Sequence, residues 1–77
     1  MKATIYYSRD GITFPILNNT EINGRSVNGL KRAFINAITK ANVGTLRTWF
    51  GSGVSVTCEA WMSNAPAPLL SCKVLTY

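Results

Sequence analysis

The segment Ser26–Asn42, SVNGLKRAFINAITKAN, decides how the rest of the chain is read. Val27, Leu30, Phe34, Ala37, Ile38 and Ala41 recur at three- and four-residue steps, so they share one stripe of a helix. Gly29, Arg32, Asn36, Thr39 and Lys40 fall opposite. Ser26 is placed to cap the first free N–H groups. Lys40 suits the negative end of the helix, and Gly44 is placed to stop it in the left-handed conformation. No other segment has a clear helical period, and everything on either side reads as strand.

Upstream, Lys2–Ser8 alternates, with Ala3, Ile5 and Tyr7 on one face and Lys2, Thr4, Tyr6 and Ser8 on the other. Asp10-Gly11 is a two-residue hairpin signal. It sets Arg9 opposite Ile12, Tyr7 opposite Phe14 and Ile5 opposite Ile16, which gathers the large apolar side chains on one face. Pro15 cannot donate to a ladder, so the second strand belongs at an edge. Asn18–Arg25, NNTEINGR, reads as a polar connecting loop with a turn signal at Asn23-Gly24.

Downstream, Thr45–Phe50 reads as a short strand with Leu46 and Phe50 inward and Arg47 and Trp49 outward. Gly51-Ser52-Gly53 turns the chain. Val54–Met62 alternates, with Val54, Val56, Cys58, Ala60 and Met62 inward and Ser55, Thr57, Glu59 and Trp61 outward. Ser63–Pro68 is a loop stiffened by prolines. Leu69–Tyr77 is the last strand, with Leu70, Cys72 and Val74 inward. Paired as a hairpin, these strands set Cys58 opposite Cys72 and Val56 opposite Val74, with Glu59 within diagonal reach of Lys73. The expected fold is α+β in a single domain, 1–77. It is an antiparallel five-stranded sheet with one helix packed on one face, in the order strand, strand, helix, strand, strand, strand.

A chain of 77 residues buries only roughly 60–65% of its unfolded surface, so one helix on one sheet is an economical design. The net charge of +5 sets eight basic residues against Asp10, Glu21 and Glu59. Such a surplus favours nucleic acid, anionic membrane or an acidic protein face, and it also serves solubility. The opening MKATIYYS has no apolar run of signal-peptide length and no segment approaches a membrane span, so a cytoplasmic protein is expected.

Catalysis fits poorly. The chain has no histidine, and its three carboxylates fall in a turn, a loop and a strand's outer face. No catalytic residue, cofactor or metal site is expected, because two cysteines without histidine do not make a usual zinc site. Cys58 and Cys72 read either as a cross-strand disulfide or as two small free thiols lining the core. Directly opposed strand positions strain a disulfide, which favours the thiols.

Two surfaces are candidates for binding. Tyr6, Arg47, Trp49, Trp61, Leu69, Lys73, Leu75 and Tyr77 are expected on the sheet face away from the helix. Aromatics mixed with cations stack bases and hold phosphates, anchor a protein interface, or pair with a second copy in a homodimer. The other candidate is the outer face of the helix, where Lys31, Arg32 and Lys40, with Arg25 before the cap, form a basic strip.

An opening Met-Lys-Ala strand, a turn-rich connector and then Ser26-Val27-x-x-Leu30-Lys31-Arg32-x-Phe34 resembles small phage-encoded anti-CRISPR proteins. In some of these a Thr/Ser-Leu-x-x-Ala-Lys-Arg helix packs on a five-stranded antiparallel sheet. The likeness runs to about Ala41, and this chain has Leu30 where a small Ala is usual. The resemblance implies a non-enzymatic inhibitor in the infected bacterial cell. It would bind a type I CRISPR surveillance complex (Cascade) and block target DNA recognition, with Lys31 and Arg32 as contacts. The alternative is a small basic nucleic-acid-binding accessory protein that uses the aromatic and basic sheet face.

Overall fold

A computed structural model describes residues 1–9, 12–13, 19–42 and 44–76. The chain is α+β with an antiparallel sheet. Its elements are β1 (Lys2–Arg9), β2 (Ile12–Thr13), β3 (Asn19–Asn23), α1 (Val27–Asn42), α2 (Thr45–Phe50), β4 (Ser55–Trp61) and β5 (Leu70–Leu75). β1 is central. β4 pairs with one of its edges, and β5 pairs with β4. β2 and β3 share the other edge of β1, β2 opposite Ser8–Arg9 and β3 opposite Lys2–Tyr6. The sheet is therefore four strands wide and carries two helices, not five strands side by side with one helix.

α1 forms where its apolar spacing predicts. Ser26 caps it, its Oγ accepting from Gly29 N at 3.2 Å. Leu30, Phe34 and Ile38 are buried, flanked by Ala33, Ala37 and Ala41. They lie over Ala3, Ile5 and Tyr7 of β1, Ile22 of β3 and Val56, Cys58 and Ala60 of β4. Burying each large side chain contributes about 1.5–3 kcal/mol. Val27 departs from the expected stripe and is 49% exposed, because it opens the first turn beyond the sheet. Gly44 has φ −162° and precedes α2, so it does not provide a left-handed stop.

Two segments differ in kind from their sequence reading. Asn19–Asn23 is strand, not loop. Its propensity is poor, but the open edge of β1 supplies its hydrogen bonds, and Ile22 and Thr20 face inward while Glu21 faces out. Ile5 consequently stands opposite Thr20 and Ala60, not Ile16. The Arg9–Ile12 pairing is as expected. The Asp10-Gly11 turn, the Tyr7–Phe14 pairing, the edge role of Pro15 and the placement of Tyr77 lie outside the described residues.

Thr45–Phe50 is helix, not strand. Leu46 and Phe50, four apart, share a face in either state. Thr48 discriminates. A strand would turn it inward beside them, whereas in the helix it is exposed and its Oγ1 donates to Gly44 O at 3.0 Å. The chain leaves α2 through Gly51 (φ 99°) and Gly53 (φ 67°), conformations that suit glycine. Buried Thr76 clamps this turn: its Oγ1 accepts from Val54 N at 2.9 Å and donates to Gly51 O at 2.6 Å. β4 and β5 pair as read, with Cys58 opposite Cys72 and Val56 opposite Val74.

Gly24 joins β3 to α1. Its N donates to Met1 O at 2.9 Å, and a Cβ built on it would lie 2.4 Å from Leu30 N. Gly24→Ala must therefore push α1 off the sheet edge and should cost about 1–3 kcal/mol or more. A Cβ on Gly29 meets nothing closer than 3.7 Å. Gly29→Ala should stabilise by about 0.5 kcal/mol through helix propensity. Thermal unfolding of both variants checks the pair, and equal effects of one sign would refute the packing argument.

Candidate functional site

The register of the strands sorts side chains onto two surfaces. On the sheet face away from the helices stand Lys2, Thr4, Tyr6 and Ser8 of β1, Glu21 of β3, Thr57, Glu59 and Trp61 of β4, and Ser71, Lys73 and Leu75 of β5. Tyr6 and Trp61 are half-buried there. With Lys2, Thr4 and Glu21 and the turn from Met62 to Ala65, they line an open groove of about 540 Å³. Lys2 Nζ lies 3.5 Å from Glu21 Oε1, both well exposed. Lys73 sits diagonally from Glu59, since Glu59 opposes Ser71 and Thr57 opposes Lys73. Among the described residues two cations thus stand near two carboxylates on this face, which balances their charge.

Arg47 and Trp49 are not on this face. They belong to α2, which packs on the opposite side of the sheet. The Trp49 ring lies against Tyr7, a core residue, with centroids 5.8 Å apart and planes at 58°, and edge-on to Phe50 at 6.5 Å. Trp49 keeps 39% of its surface exposed. It borders a hollow of about 230 Å³ with Thr20, Ala37, Lys40, Ala41 and Thr45. The two tryptophans therefore lie on opposite sides, because the helical state of Thr45–Phe50 reassigned one of them. α2 is tied down by Arg9, whose Nη1 donates to Phe50 O at 3.1 Å. Sequence reading gave Arg9 no role beyond its pairing, and only the sheet register shows it reaching over the inner face.

The helical side is basic throughout. Lys31, Arg32 and Lys40 on α1, Arg47 on α2 and Arg25 at the entry to α1 are all exposed. No carboxylate occurs between Glu21 and Glu59 in the sequence, so these five cations have no acidic neighbour along either helix. Arg32 is near the middle of the exposed face of α1, with Lys31 and Lys40 on its flanks. Ile35, 52% exposed, adds apolar surface to the same face.

Cys58 and Cys72 are free thiols facing each other across β4 and β5. Burial pushes the Cys58 thiol up to about 12, and the facing Cys72 adds to it. Burial also raises Cys72. Tyr7 is raised by burial as well, and Thr20, which pulls it the other way, stands near its hydroxyl without reaching hydrogen-bond geometry. None of these groups ionises readily near neutral pH, which marks them as core, not as nucleophiles. Among the described residues no three His, Cys, Asp or Glu side chains gather as a metal site, and no helix is long and apolar enough to cross a membrane.

Because the folded Cys58 holds its proton above the unfolded value near 9, the fold retains this contribution below pH 9. Stability should fall as pH rises from about 9 toward 12, and less so in Cys58→Ala. Urea unfolding at stepped pH tests this, and identical pH dependence in both proteins would count against it. At pH 8 a thiol reagent should modify Cys72 before Cys58.

Comparison with protein-family models, with curated proteins and with solved structures finds no match to this chain.

Proposed function

We propose that the protein is a non-enzymatic binding protein that lays its helical side on an anionic surface of a larger assembly. The observation that carries this reading is the segregation of charge. Among the described residues, five exposed cations lie on the helices and at their entry with no carboxylate among them, while the opposite sheet face is balanced. A continuous positive surface steers an anionic partner, and its contacts weaken steeply with salt. Ile35, between Lys31 and Arg32 on the helix surface, adds apolar contact, as a protein-facing helix requires.

An enzymatic role has little chemical support. The chain has no histidine, and Glu21 and Glu59 stand two strand spacings apart, about 10 Å or more, beyond the reach of one shared substrate proton. The anti-CRISPR resemblance gives the binding reading its most specific form. In that form the protein occupies a type I surveillance complex and blocks target DNA recognition, with Lys31 and Arg32 in the contact.

Direct binding of nucleic acid is the second reading, and one observation favours it. Trp49 is partly exposed beside Lys40 in one hollow, with Arg47 on the same short helix. That is the ring-plus-cation pairing that holds stacked bases and phosphates. In this form the nucleic acid meets the helical side, not the sheet face.

Two assays separate the readings. In the first, the protein is added to a purified type I complex before labelled target DNA. Inhibition is expected, and it should weaken at least tenfold in Lys31→Glu/Arg32→Glu and stay within about twofold in Lys73→Glu. Unimpaired target binding by the complex would defeat the inhibitor reading. In the second, single- and double-stranded DNA are titrated at two salt concentrations. A steep salt slope that is reduced in Lys40→Glu/Arg47→Glu supports direct binding, and no binding at low salt rejects it.

A further inference from the structure

Among the described residues β5 is an edge of the sheet, with β4 on one side and no strand on the other. Thr76 N donates to Val54 O at 2.9 Å, so the even-numbered backbone positions at this end turn toward β4. Alternation then turns the N–H and C=O groups of Ser71, Lys73 and Leu75 outward. Leu75 O already accepts from Asn42 Nδ2 of α1 at 3.4 Å, so the edge is open chiefly at Ser71 and Lys73. The six-residue strand has no proline, no bulge and one charge, Lys73, and Leu75 beside it is 66% exposed. Edges of this kind are usually blunted by charge, proline or cover.

We propose that this edge pairs antiparallel with β5 of a second copy, about a twofold axis beside Cys72. The register is chosen by what it brings together. Centred on Cys72, the strands set Ser71 opposite the copy's Lys73, and Leu75 opposite the copy's Leu69, which is itself 38% exposed. On the inner face Leu70 meets the copy's Val74. Outward backbone groups meet outward groups at Ser71 and Lys73, whereas Leu69 N is turned inward and donates to Ala60 O at 2.8 Å. Centred on Lys73, the same strands set Lys73 directly against itself, a like-charge contact. Centred on Ser71, Leu75 runs off the end of the copy's strand. One register therefore satisfies backbone, apolar and charge matching together.

The twofold axis stands perpendicular to the sheet. Two sheets four strands wide become one of eight, and both helical sides face the same way. The dimer forms through the sheet's edge and leaves its outer face free. It stands on strand register alone and does not depend on the anionic-surface reading.

The test is sedimentation equilibrium of the intact protein and two variants, each checked for native circular dichroism. The wild type should show a reversible monomer–dimer equilibrium. Ser71→Lys places a cation beside the copy's Lys73 on both sides of the axis, while Glu59 opposite it on β4 accommodates the charge within the monomer, and it should raise the dimer dissociation constant by about 2- to 30-fold. Ser71→Pro removes an outward N–H and should leave a folded monomer. A wild type that stays monomeric at millimolar concentration overturns the proposal, as does a dimer that neither variant alters. A Ser71→Lys dimer no weaker than wild type would refute the Cys72-centred register, because in the Lys73-centred one that residue faces Leu75.

Discussion

Burial of the inner face of β1 beneath α1 is the contact on which the rest of the structure depends. Ile5 and Tyr7 are fully buried, and so is Leu30 above them. A chain of this length can close one apolar layer and has little left for a second. Each later feature serves that layer. β3 and β4 flank β1 so that Ile22, Val56, Cys58 and Ala60 extend its apolar face. α2 closes the open end by setting Leu46 and Phe50 into the same cluster and Trp49 against Tyr7. Arg9, at the end of β1, fixes α2 through its bond to Phe50 O. The small side chains of Ala3, Cys58 and Ala60 leave room for Phe34 and Ile38, which is why two unpaired cysteine positions can face each other without oxidation chemistry being needed to hold the strands.

One-sided closure also dictates where charge goes. The helices need polar residues on their outer faces, and this chain supplies cations there without carboxylates. Its ion pair of 3.5 Å between Lys2 and Glu21 lies instead on the sheet face, where exposed pairs contribute about 0–1 kcal/mol. Helices usually carry acidic residues in the first turn to meet the macrodipole, and neither helix does here. Helix stability therefore gains nothing from the omission of carboxylates in these first turns.

Legibility in the sequence followed the strength of the repeating signal. α1, β1, β4 and β5 each carry a long unambiguous period, and their inward residues Leu30, Phe34, Ile38, Ile5, Tyr7, Val56 and Cys58 are all core. The Cys58–Cys72 register followed from matching apolar faces and is present as read. β3 was illegible because Asn, Thr and Glu dominate it and its hydrogen bonds come from β1, a non-local partner. α2 was illegible because Leu46 and Phe50 satisfy both periods, with only Thr48 arguing against a strand. That one ambiguity moved Arg47 and Trp49 across the molecule. The basic residues of α1 were placed correctly, since Lys31, Arg32 and Lys40 are exposed where the helical wheel sets them, but the contrast between the two surfaces needed the register of four strands to become visible.

The two surfaces act as separate electrostatic bodies. The shortest principal extent of the molecule is 18 Å, and the screening length at physiological ionic strength is about 8 Å. Glu21 and Glu59 on the sheet face therefore do little to offset Arg32 or Lys40 beyond the core. An anionic partner approaching the helices feels close to the full positive charge of that side, although the net charge of the chain is only +5. The groove between Tyr6 and Trp61, with its own balanced charges, offers aromatic surface without that long-range pull. Attraction and aromatic contact coincide only around Trp49, where a partly exposed ring shares a hollow with Lys40. On the proposed reading, a partner that carries flat apolar groups as well as negative charge would use both parts of that juxtaposition, and a simple inorganic anion would use only half of it.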